Sequence, residues 1–181
     1  MHKLTVTEMN RLTAQEFSQA EKVPLVVVLD NVRSQHNVGS VFRTADAFLI
    51  EKIILCGCCC CPPNQEIHKT ALGAELTVKW EYYENTINAV TKLHDDGYIV
   101  LAVEQVEEST MLNSLILDKQ KKYAIVLGHE VFGVRQEVVD ASDGCVEIPQ
   151  YGTKHSLNVS VAAGVVMYKM SEELRKNKSS K

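Results

Sequence analysis

No stretch of this chain approaches the roughly 20 consecutive apolar residues that a membrane-spanning helix needs, so no such helix is expected. The N-terminal MHKLTVTEMN lacks the apolar core of a secretory leader. A basic surplus is missing too: 19 Lys and Arg stand against 23 Asp and Glu, a formal net charge of −4. Chains that grip phosphates usually carry a basic excess, so any nucleic-acid partner must meet a local patch. There is no spaced cysteine framework. Five of the six cysteines crowd into Cys56 and Cys58 to Cys61, and the sixth is Cys145. That pattern suits a reducing cytoplasm rather than a disulfide scaffold. The paired CxxC spacing of zinc sites is absent and His68 is the one nearby imidazole, so no metal is expected. A GxGxxG turn, a P-loop and a GxSxG elbow are all missing. An oxidoreductase of the ordinary dinucleotide-binding kind is therefore disfavoured. No internal repeat or linker divides the 181 residues, a length that suits one domain with a full core.

What is present is an alternation of β-type runs and helical stretches. Leu25 to Leu29 is an unbroken apolar run, read as a strand buried on both faces. A polar loop follows, then a helix over Val38 to Phe48. Further strands are expected at Lys52–Cys56, Val78–Tyr83, Ile99–Val103, Tyr123–Leu127 and Cys145–Ile148. Helices are expected at Gln65–Leu72, Thr86–Asp95 and Arg135–Ala141, with Gly97 closing the second of these. Residues 1–22 form a helical extension, opened by the capping-box spacing of Thr13 and Glu16 and packed on the core. Residues 172–181 are a Lys-rich, solvated tail. The class is α/β with a mainly parallel sheet and helices on both faces.

The chain is organised around Cys145–Ala163, CVEIPQYGTKHSLNVSVAA. Pro149 ends the strand because it has no N–H to give a ladder. Ser156-Leu157-Asn158 then opens a helix that is apolar on nearly every side (Val159, Val161, Ala162, Ala163, Val165, Val166, Met167), which predicts burial on more than one face. Ser156 and Asn158 could simply cap the helix. Polar groups at the mouth of a buried helix can also line a pocket, and that reading is preferred.

Three turns follow strands: Asn31 to Arg43, Gly128 to Gly133, and Ile148 to Asn158. In an open parallel sheet they can converge at one edge. Their residues are Asn37-x-Gly39-x-x-x-Arg43-Thr44-Ala45, then Leu127-Gly128-x-Glu130-x-x-Gly133, then Ile148-Pro149 with Ser156-Leu157-Asn158-Val159-Ser160-Val161-Ala162. In this order and spacing they resemble the SpoU (TrmH-like) branch of the SPOUT RNA methyltransferases, over about residues 24–170.

The resemblance implies a C-terminal trefoil knot, bound S-adenosyl-L-methionine, and a homodimer with active sites near the subunit interface. It implies methyl transfer to a ribose 2′-hydroxyl in tRNA or rRNA, without a metal. Gln150 after Ile148-Pro149 resembles relatives that modify the D-loop guanosine of tRNA; 23S rRNA is the alternative target, and a non-catalytic SAM- or RNA-binding module is the rival class. By the same resemblance Arg43 is the catalytic arginine and Asn37 its support, with Glu130, Ser156 and Asn158 the other polar site residues. Val103, Gly128, Ile148, Gln150 and Leu157 are implied to bind the cofactor. Arg43 either clamps a phosphate and stabilises the developing alkoxide or acts as a deprotonated base; its high pKa makes the second a poor default. RNA contacts are expected from Arg43, Arg33 and Lys154, with Lys3, Arg11 and Arg175 as further cations.

Overall fold

The apolar run at Leu25–Leu29 forms an interior strand of a seven-stranded, all-parallel sheet in the computed structural model, which describes residues 1–5 and 7–175. The strands are β1 (Val23–Asp30), β2 (Ile50–Cys56), β3 (Trp80–Tyr83), β4 (Tyr98–Val103), β5 (Thr110–Met111), β6 (Lys122–Leu127) and β7 (Gly144–Glu147). Their order across the sheet is β3-β2-β1-β6-β4-β7-β5. The helices are α1 (Ala14–Gln19), α2 (Gln35–Ala47), α3 (Gln65–Ala71), α4 (Thr86–Asp95), α5 (Gln136–Ala141) and α6 (Val159–Arg175).

Side chains alternate across a strand, and β1 uses both faces. Leu25, Val27 and Leu29 join the core under α2, α3 and α6. Val26 and Val28 join the core under α4 and α5. All five are fully buried, each contributing about 1.5–3 kcal/mol. A one-residue slip would exchange the two cores, so register is strongly fixed. Pro24 cannot donate to a ladder, and the β1–β2 register shifts between Val23 and Val26.

Most expected elements appear within a residue or two of their expected bounds. Four differences have physical causes. Among its described residues the N-terminal extension is helical only over α1, where Thr13 and Glu16 form the expected capping box and Phe17 is buried. The edge strand β5 was not expected; two residues are too few to show a period. Helix α6 begins at Val159, not at Ser156. Asn158 is the residue that caps it, its Oδ1 accepting from the Ser160 N–H at 2.9 Å and the Ser160 hydroxyl at 2.7 Å. Finally, α6 buries one stripe rather than several faces. Val159, Ala163, Val166, Met167, Met170 and Leu174 point inward, while Val161, Val165 and Tyr168 remain exposed in this single chain. Of the expected Lys-rich tail, residues 176–181 lie outside the described residues.

Because the strands are parallel and in near register, the carboxyl ends of β1, β6, β4 and β7 share one edge. Leu29 pairs with Leu127, Ala102 with Val126, and Val103 with Val146. Helices α2 and α6 lie side by side, with the Phe48 and Tyr168 rings 5.8 Å apart and Thr44 abutting Gly164.

Candidate active site

The loops leaving that edge enclose a cavity of about 490 Å3, within the range of small-molecule sites. One wall is the end of β4 and its loop, Val103 to Val106. Another is the β6–α5 loop, Leu127 to Val134. The third is the β7–α6 segment, with Ile148, Gln150 and His155 to Leu157. All five residues expected to bind a cofactor (Val103, Gly128, Ile148, Gln150 and Leu157) line it.

The β6–α5 loop is held closed by its own backbone. His129 N–H donates to Gly133 O at 3.0 Å, and Gly133 N–H donates to His129 O at 2.9 Å. Gly133 has φ +68°, a conformation that glycine adopts without penalty. A Cβ on Gly128 would collide with the Gly133 backbone, and a Cβ on Gly133 would collide with Glu104 Oε2. The two glycines of the motif are thus fixed by close approach. Glu104 was missed from sequence. Its carboxylate accepts from the Val134 N–H and the Gln105 N–H, both at 2.9 Å, and so ties the first wall to the second. Gln105 Nε2 then donates to His155 O at 2.6 Å and ties the first wall to the third. The available signal was position alone: both residues directly follow a strand that ends at the site.

Glu130 and Ser156 line the cavity; Asn37, Asn158 and Arg43 do not. Three of the expected polar residues, Glu130, Asn37 and Asn158, are nevertheless set around one junction. The Glu130 carboxylate accepts from Ser34 N–H at 2.9 Å, Arg33 N–H at 3.2 Å and Asn37 Nδ2 at 3.1 Å. Asn37 Oδ1 in turn accepts from Asn158 Nδ2 at 3.2 Å. This chain links the β6–α5 loop, the start of α2 and the start of α6, across 93 and 121 residues of sequence. Partial burial pushes the Glu130 carboxyl up, but the backbone N–H groups and the Asn37 amide outweigh it and hold the group below its ordinary value. It is therefore a carboxylate at neutral pH.

Arg43 lies on the exposed side of α2, next to Thr44 at the α2–α6 contact. Among the described residues it has no hydrogen-bond or ion-pair partner. Arg33 and Lys154 are likewise exposed and outside the cavity wall. The cysteine run has a structural role. Cys58 N–H donates to Asn31 Oδ1 at 3.1 Å, Val32 N–H to Cys59 Sγ at 3.1 Å, and Gln35 Nε2 to Cys60 Sγ at 3.2 Å. It braces the β1–α2 loop from behind. No group of three or more His, Cys, Asp or Glu among the described residues is placed to hold a metal ion.

An open parallel sheet with a ligand-sized cleft outside its carboxyl edge defines an α/β protein of the doubly wound kind with a small-molecule site at the usual place. The model of the SpoU rRNA Methylase family matches residues 24–168, and the chain belongs to that family. A tRNA (guanosine(18)-2′-O)-methyltransferase of Aquifex aeolicus is 30% identical over 165 residues, covering 88% of this chain and 74% of the relative. A 23S rRNA (guanosine-2′-O-)-methyltransferase of Neisseria meningitidis is 32% identical over 144 residues, covering 80% of this chain and 56% of the relative. The crystal structure of an A. aeolicus TrmH/SpoU tRNA modifying enzyme matches with a TM-score of 0.79 at 26% identity, over 91% of this chain and 83% of that one. An AdoMet-bound rRNA methyltransferase from Sinorhizobium meliloti matches with a TM-score of 0.77 at 25% identity, over 91% of this chain and 61% of that one.

Proposed function

We propose that this chain transfers a methyl group from S-adenosylmethionine to a ribose 2′-hydroxyl of RNA, with a tRNA guanosine as the first candidate target. The cavity where the motif loops converge, with the Glu130–Asn37–Asn158 chain beside it, carries this reading. The Aquifex relative named for guanosine in tRNA spans most of this chain. The Neisseria relative makes 23S rRNA the second candidate.

The cavity walls suit the donor. Gly128, Ile148 and Leu157 offer backbone edges and apolar surface to an adenine ring, and the Gly128–Gly133 approach leaves no room for a side chain there. When bound, S-adenosylmethionine supplies an electrophilic methyl on a sulfonium, which needs no metal. The protein's share is positioning and charge. Glu130 fixes the starts of α2 and α6 relative to the cavity. Arg43 holds a phosphate beside the target ribose and stabilises the 2′-oxygen as it loses its proton. Arg33 and Lys154 add cations for the RNA backbone.

A homodimer completes the site. The exposed stripe Val161, Val165 and Tyr168 recurs at helical spacing on α6, beside Phe48. Arg43 stands at this α2–α6 face rather than in its own cavity wall, so a second copy docked there brings the guanidinium to a cavity. The C-terminal segment forms a trefoil knot in this reading, residues 1–181 act as one methyltransferase domain, and the free cysteines are compatible with a reducing compartment such as the cytoplasm.

The test is methyl transfer from labelled donor to unmodified bulk tRNA and to rRNA, followed by mapping of the 2′-O-methylated nucleotide. Arg43→Ala should abolish transfer and Arg43→Lys should fail to restore it. Neither should change stability by more than about 0.5 kcal/mol, because the side chain is exposed. No heat of binding with S-adenosylhomocysteine, or full activity in Arg43→Ala, would refute the reading.

A further inference from the structure

Val131 and Phe132, at the tip of the β6–α5 loop, are 77% and 81% exposed. Apolar side chains held open to water at the rim of a cavity mark a contact surface. The tip is not loose. Val131 N–H donates to His129 Nδ1 at 3.0 Å, which orients that imidazole. The Phe132 ring rests on the imidazole, centroids 4.9 Å apart and planes at 36°. Below the tip, Glu130 is anchored by the Arg33 and Ser34 N–H groups. One face of Phe132 is thus supported while the side chain as a whole stays open, and the residue lines the cavity.

A fixed aromatic ring with open surface at the edge of a nucleotide-sized cleft is suited to receive a nucleobase. We propose that Phe132 is the stacking platform for the base of the nucleotide whose ribose enters the cavity. A base swung out of its RNA stack loses its neighbours' π-faces, and Phe132 replaces one of them. Arg33, whose N–H is bound to Glu130 and whose side chain is exposed, lies at the same junction and suits that nucleotide's phosphate. The inference rests on the RNA-methyltransferase reading and deepens it: the platform contacts the base, so it governs RNA binding more than cofactor binding.

Two probes test it: unmodified bulk tRNA for affinity and methylation, and a single-stranded oligoribonucleotide carrying one 2-aminopurine for stacking. Wild-type protein should quench the 2-aminopurine, and Phe132→Ala should not. Phe132→Ala should weaken tRNA binding by about 5- to 150-fold. Phe132→Tyr should stay within about threefold of wild type, because a phenol ring also stacks. The dissociation constant for S-adenosylhomocysteine should shift less than that for tRNA, and the oligomeric state should be unchanged. Three results would overturn the platform: unchanged quenching and tRNA affinity in Phe132→Ala, a parallel loss of S-adenosylhomocysteine binding, or loss of the dimer. Quenching is read without cofactor, so it judges the platform even where wild type binds no S-adenosylhomocysteine, a result that would instead sink the methyltransferase reading.

Discussion

Removing Glu130 should loosen two helix starts at once. In Glu130→Ala the N–H groups of Arg33 and Ser34 and the Asn37 amide all lose their acceptor. A hydrogen bond to a charged group is worth about 1.5–3 kcal/mol when buried. The site is half-buried and water can reach part of it, so three such bonds should total about 2–4 kcal/mol rather than their full sum. The pairwise share of Asn37, 3.1 Å from the carboxylate, should appear as a coupling of about 1–2 kcal/mol in a cycle with Asn37→Ala. Urea unfolding at one fixed protein concentration measures both quantities. The pH dependence gives a second reading. The carboxyl titrates lower in the folded state than in the unfolded chain. Its stabilisation is therefore complete above the unfolded pKa and is lost as pH falls through the folded one. The gap between wild type and Glu130→Gln should close on acidification over that range. A coupling below about 0.3 kcal/mol, or a gap that ignores acid, would show that the carboxylate does not hold the junction together.

Three other expectations can be checked alongside. Gly133→Ala places a Cβ against Glu104 at φ +68°; it should cost at least about 1–2 kcal/mol and weaken S-adenosylhomocysteine binding in calorimetry, and an unchanged affinity would contradict the packed loop. Asp30 is fully buried and accepts from Thr86 Oγ1 at 2.5 Å, Asn31 Nδ2 at 2.9 Å and the Arg135 N–H and guanidinium at 3.3 Å. Asp30→Ala should lower unfolding free energy by about 3 kcal/mol, the low end for a broken buried pair because Arg135 can rehydrate. Burial pushes the Cys56 and Cys59 thiols up to about 12, whereas Cys58 is exposed. Iodoacetamide at pH 8 should label Cys58 in the native protein and reach Cys56 and Cys59 only in denaturant, read by peptide mass spectrometry; uniform native labelling would be at odds with the core described.

The sheet was legible because its central strands are apolar on both faces: Leu25–Leu29 has no other way to be buried. The convergence of three turns followed from parallel strands sharing a carboxyl edge. The exact start of α6 was not legible, since Ser156 and Asn158 are both competent caps and only the fold decides which one meets the helix N–H groups. Glu104 and Gln105 carry no local pattern; their roles depend on Val134 and His155, which are distant in sequence. The face of Val161 and Val165 was read as core because apolar content marks burial without saying by what. Phe132 was invisible for the opposite reason: a lone aromatic in a polar turn has no periodicity to betray it.

Strand β1, buried on both faces, is flanked on one side by β6, which is made almost a hundred residues later. A growing polypeptide leaving the ribosome therefore carries its most water-averse segment half uncovered until residue 127 emerges. The cleft is completed later still, when the 148–158 segment arrives. Fragments ending before that point should have no affinity for the methyl donor, and small-molecule protection against proteolysis should switch on only for translation products that extend past residue 158.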